Sequence, residues 1–196
     1  MQIVQRQDQV PQGKTRGTQV KSSSVMQQQM ALSQGIIPAV RGEYYSYASV
    51  FTEERPLYAL MKCKSNKARL IGELSVLGPE ATAFFQFNGA GPRILSLKKA
   101  FASGLLESMQ PTGAFGDVWF APTTLTAEQF MKLWTSKKTG DLVSACQHEL
   151  SGRQVTTELR EELVVAMMTD SGKYGMFLVE EVTMSSVLIE ACHIQH

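Results

Sequence analysis

Five side chains from residue 146 onward have the chemistry to bind a soft metal or to act as a nucleophile and base: Cys146, His148, Cys192, His193 and His196. A structural zinc site draws its ligands in pairs set two to four residues apart, and Cys146-x-His148 is tighter than that. Cys192 and His193 are neighbours in a β-prone run, where successive side chains point to opposite faces. No metal site is expected. A thiolate with an imidazole base would be a hydrolase arrangement, with Cys146 beside His148 or His193 as the pair. No G-x-S-x-G elbow accompanies it, and no carboxylate is placed by any motif to orient the histidine. The sequence therefore predicts no catalytic residues and no cofactor, with a Cys-dependent hydrolase as the least favoured alternative.

Asn88-Gly89-Ala90-Gly91-Pro92 sits between strand-like and helix-like segments, where a helix N-terminus would offer free N–H groups to a phosphate. It continues neither as G-x-G-x-x-G nor as Gly-Lys-Ser/Thr, so it reads as a turn. A nucleic-acid reading has more material. Tyr44, Tyr45, Tyr47 and Phe51 lie among Arg41, Arg55, Lys62, Lys64, Lys67 and Arg69. Rings that stack on bases beside cations that follow the backbone are how single strands are held. Against this, Glu43, Glu53 and Glu54 dilute the patch, and the whole chain has a net charge of only +1. The charge is unevenly spread: residues 1–69 carry ten Lys/Arg against four Asp/Glu, a local net of +6. Single-stranded nucleic-acid binding, or a structural place in a nucleoprotein, is kept as the alternative function.

The elements that would position these residues follow from periodicity. Residues 1–34 contain ten glutamines and no aromatic, a composition that cannot bury enough apolar surface to offset its ordering entropy. Residues 1–35 are expected to be a disordered tail, able to become ordered on a partner. Tyr44–Phe51, Leu57–Cys63, Arg69–Leu77 and Ala83–Phe87 read as strands. Ile94, Leu97, Phe101, Leu105 and Met109 recur at three- and four-residue steps and predict a helix. Asp117–Ala121 is strand-like. Thr126-Ala127-Glu128-Gln129 fits a capping box, with Leu125 and Phe130 spaced as a hydrophobic staple, so a helix starts there and carries Phe130, Leu133 and Trp134 on one face. Leu142–Cys146 looks β-like, Thr156 or Thr157 looks like the cap of a short helix running to Glu162, and Leu163–Met168, Tyr174–Val182 and Val187–Ile194 look like strands. The last two predict an antiparallel hairpin.

The stretch from Asp117 to His193 resembles the C-terminal platform subdomain of beta-adaptin appendages. The resemblance is carried by Asp117-Val118-Trp119-Phe120, by the helix Thr126–Trp134 with Phe130 and Trp134 four apart, and by Leu163–Ala166, Met176–Leu178 and Val187–Ala191. It implies a hook for short peptide motifs, in which the helix tryptophan lines a pocket beside an aromatic and a glutamate from the strands. By position those roles would fall on Trp134, with Phe130 beside it, on Phe177 or Met176, and on Glu190. The family's basic residues around the pocket correspond here to Thr135 and Met168, neither of them basic.

The sequence thus predicts an α+β domain over residues 36–196, with a platform-like part at 117–194. A mostly antiparallel sheet would be flanked by two or three helices. The expected function is a non-catalytic protein–protein interaction module, adaptor-like or an assembly subunit, with a protein partner or further copies of itself. Three cysteines without C-x-x-C spacing suit a reducing compartment, and no run approaches the roughly 18 apolar residues that cross a bilayer, so a cytoplasmic location without membrane insertion is expected.

Overall fold

The computed structural model describes residues 42–59, 68–74, 81–106 and 115–195. The predicted tail, the basic residues Arg41, Lys62, Lys64 and Lys67, and Cys63, Met109 and His196 lie outside the described residues.

Among the described residues nine strands form two antiparallel sheets. The first, of five strands, has the order β1-β9-β8-β7-β5: β1 Glu43–Thr52, β9 Ser186–Gln195, β8 Tyr174–Val182, β7 Val164–Thr169 and β5 Val118–Pro122. The second has the order β2-β3-β4-β6: β2 Leu57–Ala59, β3 Ala81–Gln86, β4 Arg93–Ser96 and β6 Thr156–Glu158. Among the described residues there are also three α-helices: α1 Leu97–Ala102, α2 Ala127–Ser136 and α3 Thr139–Glu149. The class is α+β, as composition and pattern predict, but the expected single sheet is two sheets packed on each other.

Side-chain alternation explains the layering. In β7 and β8, Val165, Met167, Phe177 and Val179 point into a core shared with Tyr58, Ala83, Phe85 and Ile94 of the second sheet. Their neighbours Val164, Ala166, Met176 and Leu178 point the other way, into a core with Phe130, Leu142, Val143 and Cys146 of α2 and α3. A sheet buried on both faces needs near-continuous apolar strands, and Leu163–Met168 is such a run. The outer face of the second sheet is covered by α1, through Leu97 and Ala100 against Leu57, Phe84 and Leu95. The two sheets touch at one side, where Phe120 and Gln154 exchange backbone hydrogen bonds of 2.7 Å. Among the described residues no helix is long and apolar enough to cross a membrane.

Four elements differ from the sequence expectation. Arg93–Ser96 is a strand, and the helix starts only at Leu97, where the Ser96 hydroxyl accepts from the Lys99 N–H. Leu142–Cys146 lies inside α3 because Leu142, Val143, Cys146 and Leu150 share one buried helical side. Thr156–Glu158 is β6, paired with β4, and not a helix start. From Arg69 onward the chain makes a single bridge to Leu57 and then a 3-10 turn, Ile71–Glu73.

Candidate functional site

The capping box of α2 forms as its sequence requires: the Gln129 N–H donates to the Thr126 hydroxyl and the Thr126 N–H to the Gln129 side chain. Leu125 packs into the cluster that buries Phe130, and Lys137 closes the helix in the left-handed conformation. So anchored, α2 lays its C-terminal end across the edge of the five-stranded sheet. The Trp134 Nε1–H donates to the Ala191 carbonyl of β9 at 3.2 Å, and the Tyr44 hydroxyl of β1 donates to the Leu133 carbonyl at 2.6 Å.

This placement separates the four residues predicted to form a peptide pocket. Phe130 is 0% exposed and belongs to the core between α2 and the sheet. Phe177 is 1% exposed and points to the opposite face, between the two sheets. Met176, the other candidate, faces the helices but is equally buried. Alternation is the reason: Glu190 pairs across with Leu178, and Ala191 with Phe177, so Phe177 and Glu190 cannot share a face. Trp134 and Glu190 remain, both half-buried and both on the helix side of β9.

On that same side, β1 and β9 run out beyond α2. Val50 pairs with Leu188 in register, two residues on from the Ala48–Glu190 pair. Val50 is 51% exposed and Leu188 half-buried, on a face whose other large apolar residues lie beneath helices. A bulge in β8 between Val179 and Glu181 brings Glu180 and Glu181 alongside. Burial first, and then the charge of Glu180, hold the Glu190 carboxyl above its ordinary pKa. Glu180 also lines an open groove of about 320 Å³, together with Ala127, Glu161, Glu162, Leu178 and Val179. Among the described residues no ion pair involves any of these glutamates; the four ion pairs join Arg69–Glu73, Arg93–Glu158, Lys98–Asp117 and Lys132–Glu128. The arrangement is an apolar strip bordered by carboxylates, and its signal in the sequence was the Val50 that breaks the polar alternation of β1 together with the Glu180-Glu181 bulge.

The aromatic residues predicted to stack on bases do other work. Tyr47 is buried and its hydroxyl contacts that of Tyr58. Tyr44 turns to the helix side, whereas Tyr45 and Tyr47 turn to the inter-sheet side. They form no common platform, and Arg69 sits 3.6 Å from Glu73.

The soft ligands are also divided. Cys146 and Cys192 are buried together beneath α3, and the Cys146 thiol donates to the Gly175 carbonyl at 3.2 Å. Burial pushes both thiols up, Cys192 to about 12, which disfavours a thiolate. His193 points to the other face, as the alternation predicted. Among the described residues no three His, Cys, Asp or Glu gather as metal ligands.

No protein-family model matches the chain, and no curated protein matches it. A crystal structure of a DUF4466 family protein from Parabacteroides merdae ATCC 43184 is similar in fold, with a TM-score of 0.52 over 78% of this chain at 12% identity. This chain spans 54% of that one, about half its length. At this identity the likeness is one of architecture alone.

Proposed function

We propose that the domain is a non-catalytic protein-binding module, and that it receives a short extended segment of a partner on the strip formed by Val50, Leu188 and the flank of Trp134. The observation that carries this reading is the exposure of Val50 beside Leu188 on a sheet face whose other large apolar residues lie beneath helices. β1 adds a second support. It is a ten-residue strand at the sheet edge, bonded to β9 on one side, and among the described strands none pairs with its other side. Such an edge offers a row of backbone donors and acceptors to an added strand. The glutamates beside the strip favour a segment that carries lysine or arginine next to an apolar residue. The resemblance of residues 117–193 to a peptide-binding platform agrees in kind, though the pocket it implied is not the surface we favour. A further copy of the chain is a second candidate occupant.

Selection of a random extended-peptide library on the immobilised protein tests the reading. Enriched peptides should combine apolar and basic residues, and Val50→Asp should weaken their binding at least tenfold while the unfolding midpoint stays unchanged. Peptides that bind Val50→Asp and Leu188→Asp as tightly as the unaltered protein would remove the strip from consideration.

A further inference from the structure

His193 is fully buried, and among the described residues neither ring nitrogen has a hydrogen-bond partner. A buried polar group without a partner is costly, so its persistence asks for a reason. The imidazole is packed between two rings of β1: Tyr45 stacks on it at 5.3 Å between centroids, and Tyr47 meets it edge-on at 5.7 Å. From β8 the facing residue is Gly175, where an added Cβ would lie 3.1 Å from the His193 Cβ. We propose that His193 is an acid-operated latch: when its ring takes up a proton, the first half of β1 parts from β9 and admits water to the imidazolium.

The groups around the ring set the direction. Tyr45 and Tyr47 come from β1, and Tyr58 of β2 contacts the Tyr47 hydroxyl. Glu43, also on β1, accepts from the Tyr45 hydroxyl and not from the imidazole. Lys173, from the turn before β8, opposes a second positive charge. Met167 of β7 and Gly175 of β8 bring nothing that titrates, and Cys192 faces away. Among the described residues no carboxylate therefore stands ready to receive the proton's charge inside.

Opening falls to β1 because β8 is held by strands on both sides, whereas β1 is bonded to β9 alone among the described strands. The start of β1 is also the least covered, with Glu43 exposed and Tyr45 half-buried. Burial, with Lys173 as the lesser cause, lowers the ring's pKa to about 4 from 6.5. Between those two values the open form binds more protons than the closed form, so closure weakens as pH falls from 6.5 towards 4. Above 6.5 both forms are neutral and below 4 both are charged, so the dependence flattens at either end. This inference does not depend on the partner strip.

Amide hydrogen exchange, corrected for its intrinsic pH dependence, reads the latch directly. From pH 7 to pH 5 the β9-bonded amides of Glu43–Tyr47 should lose about twentyfold in protection. Amides of Phe177–Val179 in central β8 should keep theirs. His193→Phe should abolish the loss. Should that variant misfold, the unaltered protein still decides: the loss must set in near pH 6.5 and level off where the His193 ring itself ionises, read by NMR with His148→Gln used to assign the signals. Equal loss in β1 and β8, loss unchanged in His193→Phe, or loss that tracks another group would each overturn the proposal.

Discussion

At the scale of single residues, what decides behaviour is whether a polar or small side chain has been given room. Gly175 has none to spare: a Cβ there would come within 3.1 Å of Met167 Cε and His193 Cβ and 3.2 Å of the Cys192 carbonyl. Gly175→Ala should therefore cost about 1–3 kcal/mol, read from urea unfolding, because two buried neighbours and a backbone atom must all shift. The two buried cysteines make a complementary case. Cys146 and Cys192 should resist iodoacetamide in the native protein and react only at the rate of unfolding, which peptide mapping by mass spectrometry would show. Fast labelling of either thiol at pH 7 would favour the hydrolase alternative. In the sequence, the opposite facing of Cys192 and His193 was readable from strand alternation. The loss of His193's partners was not, because it depends on Gly175 and two tyrosines that arrive from other strands.

At the scale of elements, local signals were reliable where the chain itself supplies the partner. The α2 capping box needs only Thr126 and Gln129, and it forms. Thr126→Ala should cost about 1 kcal/mol, measured as a lowered denaturant midpoint with an unchanged slope. Phe130→Ala, by contrast, should cost about 3–5 kcal/mol, since it empties a fully buried site between α2 and the sheet. A loss under 1 kcal/mol would mean that Phe130 is far less enclosed than its packing implies. Where an element's identity rests on a distant neighbour, the local pattern misled. Thr156–Glu158 has a good cap residue and acidic followers, yet it is a strand because Arg93–Leu95 pairs with it. Leu142–Cys146 is too short to show a period by itself; adding Leu150, just past the end of α3, reveals the helical spacing of the buried Leu142, Val143 and Cys146.

At the scale of the whole molecule, three apolar clusters are stacked through two sheets, and the alternation of β7 and β8 alone implied that one sheet is covered on both faces. That the covering on one side is a second sheet was not legible. Its strands are three to six residues long, and Tyr58, Phe85 and Ile94 mark a core without saying which core. The candidate site was legible in part. Trp134 and Glu190 do lie on one side of β9, but Phe130 and Phe177 were drawn from cores on opposite sides of the sheet. The order β1-β9-β8-β7-β5 also carries a kinetic consequence. Glu43 pairs with Gln195 and Thr52 with Ser186, so the earliest described strand closes a loop of well over a hundred residues. During synthesis its tyrosines and Phe51 must wait, unpaired, until β9 has left the ribosome. Pulse-labelled refolding should find β1 protected last, and any nascent chain stalled before β9 should be a client for chaperones rather than a partly working domain.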